Sequence, residues 1–174
     1  MVRSQSEIEP AAKKVIVVAG VSGCGKSTIG SALAARIGWP FIEADAFHNQ
    51  AAKAKMMAGK PLDDADRAPW LAALNAELSQ RAPAVLACSA LKQSYRDRLS
   101  AGLSTRFVWI RLSRELAMQR VAGRSDHFMP TSLVSSQFEV AEIPPEAVFL
   151  SATESIEDSV HHCAKALAAF ISQR

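Results

Sequence analysis

What the sequence has little of already excludes several classes. It has only three cysteines (Cys24, Cys88 and Cys163), an odd number without metal-type spacing, which argues against a disulfide scaffold and fits a reducing compartment. No apolar run approaches the roughly 18 residues needed to span a bilayer. The opening stretch MVRSQSEIEPAAKK lacks the apolar segment of a secretory signal. These absences lead to the expectation of a cytoplasmic protein with no membrane partner. Net charge is only +3, too mild by itself to indicate a nucleic-acid partner. Hydrophobic residues at 49% against 21% charged exclude a disordered chain. A length of 174 residues leaves room for one domain and little more.

Residues 1–13 are polar and aperiodic and read as a disordered tail, leaving 14–174 as a single domain. Val15-Ile16-Val17-Val18-Ala19 is a continuous apolar run, the pattern of a strand covered on both faces in a parallel sheet. Further strands are predicted at Phe41–Asp45, Ala84–Cys88, Arg106–Leu112 and Ala147–Leu150. Helical periodicity lies between them. Ile29, Leu33 and Ile37 share one face of a helix that ends at Gly38. Further helices are predicted over Asn49–Ala58, Lys92–Ala101 and Thr131–Val140, and another from Asp66 to about Arg81, with Pro69 in its first turn. A last helix opens at Ser155 and buries Ile156, Val160, Leu167 and Ile171. Strands alternating with helices predict an α/β fold with a five-stranded parallel sheet flanked by helices.

Charge is uneven along the chain. Residues 92–124 carry eight basic side chains against two acids, and residues 137–160 carry six acids and no Lys or Arg. The basic segment could face RNA or polyphosphate. It lacks the interleaved aromatics of a stacking platform, so a solvated helix surface is the preferred reading.

Gly20-Val21-Ser22-Gly23-Cys24-Gly25-Lys26-Ser27 matches G-x-x-x-x-G-K-[ST] in full, between a predicted strand and a predicted helix. The glycines let backbone N–H groups wrap a phosphate, and the helix N-terminus adds positive potential. Lys26 is expected at the β- and γ-phosphates of ATP, Ser27 on Mg²⁺, and Thr28 in packing or at the α-phosphate. Cys24 reads as a small residue filling a variable loop position. No N-K-x-D or D-x-x-G motif of GTPases is present, which leaves mainly the small-molecule kinases.

A kinase must also orient or deprotonate an acceptor hydroxyl, beyond the carboxyl ends of the strands. Asp45, placed at the end of the second strand with Glu43 on the same face, is the candidate base, and His48 follows within a turn. The third strand ends without an acidic residue, so Mg²⁺ must take any second protein contact from Asp45, if at all. Arg120 and Arg124 enter the polar 123–130 loop four residues apart, as a lid over the phosphates would need. His127 in that loop is either a lid or an acceptor contact. His161, His162 and Cys163 point different ways on a helix and are not read as a metal site.

The stretches GVSGCGKST at 20–28, EADAFH at 43–48, KMMAGKPLDDADRAPWL at 55–71, CSALKQSYRDRL at 88–99, GRSDHFM at 123–129 and SQFEVAEIP at 136–144 follow one another in order. Together they make residues 15–145 resemble the gluconate kinases among the P-loop small-molecule kinases. The resemblance implies a nucleoside-monophosphate-kinase-like P-loop NTPase fold with a lid at about 123–131. It also implies Mg²⁺-dependent transfer of the ATP γ-phosphoryl to the 6-hydroxyl of D-gluconate, usually by a homodimer. Carried over by position, Asp45 and His48 sit at the acceptor, and Arg67 with Arg96 or Lys92 lies near the sugar acid or the transferring phosphate. Arg120 and Arg124 belong to the lid, and Ser151-Ala152-Thr153 lies beside the adenine. Which cation holds the gluconate carboxylate is left open. The sequence departs from the family pattern at Glu43 (often Asp), Cys24 (often Ser) and Ala141 (commonly Leu).

Two alternatives stand beside this one. A shikimate-kinase-like enzyme shares the fold, but would carry a Gly-Gly-Gly turn where this chain has Cys88-Ser89-Ala90. A non-catalytic nucleotide-binding regulatory module would need neither an acceptor site nor a lid.

Overall fold

The computed structural model of the chain describes residues 12–123 and 131–173. The continuous apolar run forms β1 (Lys14–Ala19), buried along its whole length. Around it stand β2 (Phe41–Glu43), β3 (Ala84–Ala87), β4 (Ser104–Arg111) and β5 (Val148–Ser151). Every pairing is parallel, in the order β2-β3-β1-β4-β5, with Val17 in register with Leu86 on one side and Phe107 on the other. Parallel neighbours need long crossovers. These carry α1 (Lys26–Ile37), α2 (Gln50–Met57), α3 (Asp64–Arg81), α4 (Gln93–Ser100), α5 (Arg114–Ala122) and α6 (Ser132–Val140), and the chain closes with α7 (Ile156–Ala166) and α8 (Ala168–Ser172). The predicted α/β architecture is the one observed.

The core explains why the run is unbroken. Val15, Ile16, Val17 and Val18 are fully buried, with α1 packed over β1 and β3 and against α7. Ile29 and Leu33 supply the buried stripe of α1. Truncating fully buried Leu33 to Ala would cost about 2–5 kcal/mol. Lys14, at the start of β1, donates to the carbonyls of Phe170 and Gln173, so an otherwise costly buried ammonium ties down the C-terminal end of α8.

Several predicted boundaries move, each for a local reason. The second strand stops at Glu43, and Ala44–Phe47 forms a 3₁₀ turn. Ala44 is fully buried there and its carbonyl accepts from Trp70 Nε1 at 2.9 Å. Asp45 therefore sits on a turn, off the strand face it was expected to share with Glu43. α3 starts at Asp64, because Asp63 and Asp66 form a reciprocal capping box, which places Pro69 in the second turn instead of the first. The final helix is interrupted at Leu167. Ile156 at its start is 49% exposed, contrary to expectation, because it stands at the mouth of a cavity. Among the described residues no helix is long and apolar enough to cross a membrane.

Candidate active site

The phosphate loop, residues 20–27, leaves the carboxyl end of β1 and enters α1. Gly20 has φ +145°, and a Cβ there would meet Cys24 Sγ and the Ile110 carbonyl at 2.9 Å, so the loop closes against β4 only with glycine. Gly25, at φ +101°, is the N-cap of α1. Cys24 is buried beneath the loop, which agrees with its reading as a filler. Burial pushes the thiols of Cys88 and Cys163 up to about 12, so both stay protonated and unreactive at neutral pH. Lys26 Nζ donates to the Val21 carbonyl at 3.0 Å, holding the ammonium over the loop.

On one side of the loop lies a cavity of about 430 Å³, lined by Gly25, Thr28 and Ile29 from the start of α1 and by Arg120, Ala152 and Ile156 across from them. Arg120 spans it, donating to the Gly23 carbonyl at 3.2 Å and to the Ala152 carbonyl at 2.8 Å. The expected catalytic arginine thus joins the phosphate loop to the turn after β5. Thr153 is exposed, its hydroxyl paired with Ser151 at 2.7 Å, so Ser151 and Ala152 line the cavity and Thr153 does not.

On the other side is a recess lined by Ser22, Lys26, Asp45, His48, Arg67 and Gln137, among others. The His48 ring stacks on Trp70, with centroids 4.4 Å apart and an interplanar angle of 13°. Its Nε2 lies 3.8 Å from Asp45 Oδ1, while its buried Nδ1 has no partner among the described residues. Burial lowers the His48 pKa, aided by the charges of Arg67 and Lys53 and opposed by Asp45. A neutral imidazole with an orphaned nitrogen can exchange a hydrogen bond with an incoming hydroxyl. The Asp45 side chain is half exposed.

Glu43 is the neighbour of Ser27. Burial raises the pKa of its carboxyl, and the nearby Ser27 hydroxyl, Lys26 ammonium and Asp45 backbone N–H act against that shift. Ser27 and Asp45 are the expected Mg²⁺ contacts; the structure also brings Glu43 near Ser27, while the 3₁₀ turn sets Asp45 beside His48.

A wider groove continues from the recess, sharing Leu62, Arg67 and Gln137 with it and adding Asp64 and Lys92. Here the chain's only tyrosine organises the cations. The Arg67 guanidinium and the Lys92 ammonium each lie 5.3 Å from the Tyr95 ring centroid. The Tyr95 hydroxyl donates to Asp64, which also pairs with Lys92 at 3.1 Å; the hydroxyl first, then the ammonium, holds the Asp64 carboxyl below its ordinary range.

Arg96, expected near the substrate, is not among the residues lining the recess or this groove. It is 2% exposed, and its guanidinium donates to the carbonyls of Ala90 and Leu91 and to Gln93 Oε1. It braces the loop that carries Ser89 past the recess, where Ala90 takes φ +41°. Arg124 and His127, and all but the two ends of the lid expected at about 123–131, lie outside the described residues.

The sequence reading missed three contacts. Glu43 on Ser27 depends on where β2 ends. His48 on Trp70 depends on the docking of α3. Gln137, within a quoted family stretch but given no role, reaches the phosphate loop from 115 positions away. None of these has a local signature.

The shikimate kinase family profile matches residues 22–158. The gluconokinase of Gluconobacter oxydans (strain 621H) is 47% identical over 136 residues, covering 75% of this chain and 76% of its own length. The thermosensitive gluconokinase of Escherichia coli (strain K12) is 35% identical over 167 residues, covering 91% of this chain and 89% of its own. The crystal structure of a gluconokinase from Sinorhizobium meliloti 1021 matches with a TM-score of 0.82 at 41% identity, over 91% of this chain and 94% of that one. The profile covers the domain type that the shikimate-kinase alternative shares, and the relatives separate the two. The chain belongs to the gluconokinase family, built on a shikimate kinase-type domain.

Proposed function

We propose that this chain is an ATP-dependent gluconokinase, transferring the γ-phosphoryl of ATP to the 6-hydroxyl of D-gluconate and releasing ADP. The observation that carries the reading is that two spaces flank one phosphate loop. The Arg120 cavity adjoins its helix side and the Asp45–His48 recess its other side, with Lys26 lining the recess. Such a loop can hold a donor and an acceptor together, so that transfer becomes a matter of positioning and charge stabilisation. The gluconokinase relatives support the choice of acceptor.

In this reading the nucleoside lies in the Arg120 cavity beside Ala152, with the apolar face of Ile156 at its mouth. The loop N–H groups and Lys26 hold the phosphates, and Arg120 adds positive charge beside them. Asp45 orients the 6-hydroxyl and accepts its proton, and His48 Nδ1 binds a hydroxyl of the chain. A six-carbon acid with its reacting end at Asp45 extends into the groove, which places its carboxylate with Arg67 and Lys92. Arg124 and His127 complete the site as a lid.

Mg²⁺ fits the residues present. The Ser27 hydroxyl would serve as an oxygen ligand, and Asp45 or the Glu43 carboxylate near Ser27 would hold a coordinated water. Among the described residues no group of three or more acidic, histidine or cysteine side chains gathers. When bound, the ion neutralises charge on the phosphates.

The family resemblance adds a homodimer, and the cysteine usage is the ground for a cytoplasmic setting; sedimentation of the purified protein tests the first and fractionation of the host cell the second. The base assignment is tested by Asp45→Asn, which is expected to cut turnover strongly while leaving ATP binding nearly intact. Unchanged turnover removes Asp45 from that role.

A further inference from the structure

Backbone N–H groups of a phosphate loop normally aim at phosphate oxygens. The Ser22 N–H is instead taken by a side chain from α6, since Gln137 Oε1 accepts it at 2.7 Å. The same carboxamide returns a second bond, Nε2 donating to Ser22 Oγ at 3.0 Å. Two bonds to one residue fix both the plane of the amide and the rotamer of the serine. Ser22 and Gln137 both line the acceptor recess, and Gln137 also lines the adjoining groove. Gln137 therefore reaches both spaces, and through it α6 is bonded to the stretch of phosphate loop that lines the acceptor recess.

We propose that Gln137 is a positioning residue for phosphoryl transfer: through its two bonds to Ser22 it sets the wall shared by donor and acceptor, and so directs the phosphoryl group to the sugar hydroxyl rather than to water. In productive transfer the acceptor oxygen bonds to the γ-phosphorus, the bond to the β-phosphate bridging oxygen breaks, and the hydroxyl proton goes to Asp45. With the wall loosened, a water oxygen takes the place of the acceptor and the products are ADP and inorganic phosphate. ATP affinity depends little on the pair, because among the described residues Gln137 bonds to Ser22, and the Arg120 bridge runs to Gly23 and Ala152.

The inference rests on the gluconokinase reading, and one experiment separates the two. ADP, inorganic phosphate and 6-phosphogluconate are measured together with Mg·ATP and D-gluconate, beside ATP affinity and a thermal melt. The wild type is expected to give ADP and 6-phosphogluconate one to one; no 6-phosphogluconate overturns both the reading and the inference. Gln137→Leu is expected to lose about tenfold or more in kcat with ATP affinity within about twofold, and to release a clear fraction of its phosphate as inorganic phosphate. Ser22→Ala, which keeps the 2.7 Å bond, is expected to show both effects more weakly, about threefold in kcat, and it carries the test if Gln137→Leu melts below the assay temperature. One-to-one coupling at undiminished kcat in the folded variants, or equal losses of ATP affinity and kcat, overturns the role of Gln137 and leaves the gluconokinase reading standing.

Discussion

The Ser27 hydroxyl stands close enough to the Glu43 carboxylate to lower its pKa, which brings the first turn of α1 to the end of β2. Burial raises the pKa of Glu43, while Ser27 and Lys26 oppose that shift. We propose that this pair helps to hold the ion accompanying ATP. Glu43→Gln keeps the shape and removes the charge, and it is expected to raise the Mg²⁺ concentration for half-maximal rate by about tenfold, as losing one charge-assisted contact would. A titration of rate against Mg²⁺ at saturating ATP checks this. A shift in Asp45→Asn but none in Glu43→Gln would return the ion contact to Asp45.

Arg120 holds two distant carbonyls, Gly23 in the phosphate loop and Ala152 after β5. Hydrogen bonds from a charged donor contribute about 1.5–3 kcal/mol. Arg120→Ala is expected to raise the KM for ATP about tenfold or more, to change the gluconate KM little, and to lower the melting temperature. Steady-state kinetics in both substrates, with a melt, read all three.

Arg67 lines both the recess and the groove, and Lys92 only the groove. If these cations hold the sugar-acid carboxylate, Arg67→Ala raises the gluconate KM well beyond any change in the ATP KM, and Lys92→Met does so less, because Asp64 already pairs with the ammonium. Equal effects on both substrates would remove Arg67 from the carboxylate.

His48 supplies a pH test. Its folded pKa lies below the ordinary 6.5, chiefly through burial. The folded state therefore binds this proton less readily than the unfolded chain. Stability is fully present above the unfolded value and falls as the pH drops below about 6.5. The wild-type melting temperature is expected to fall more between pH 7.5 and 5.5 than that of His48→Gln. Equal falls would show that His48 does not carry the difference.

The sheet was legible because β1 is buried on both faces, which leaves an unbroken run of Val and Ile, and because the helices between strands keep a clear 3.6-residue stripe. The phosphate loop was legible because backbone geometry demands glycine at Gly20 and Gly25. The proposed donor side followed from that motif together with Arg120. The acceptor side was legible only as a set of residue types. Asp45 and His48 do line the recess, but the end of β2 at Glu43 depends on Ala44 being buried and its carbonyl capped by Trp70, a contact across 26 positions. Arg96 illustrates the limit from the other direction: a guanidinium four residues from Lys92 looks identical in sequence whether it meets an anion or, as here, loop carbonyls. Gln137 pairs with Ser22 only once α6 has docked, and local periodicity carries no trace of that.

The most direct test measures ADP release from Mg·ATP with D-gluconate, beside shikimate, glucose, gluconolactone and no acceptor. Shikimate belongs in the set because the matching family profile is that of shikimate kinase. The predicted result is release that depends on D-gluconate, with 6-phosphogluconate formed in equal amount. Release with shikimate or another acceptor in place of gluconate would keep the kinase and contradict the substrate. No release with any acceptor, despite measurable ATP binding, would contradict the enzyme and point to a nucleotide-binding regulatory module.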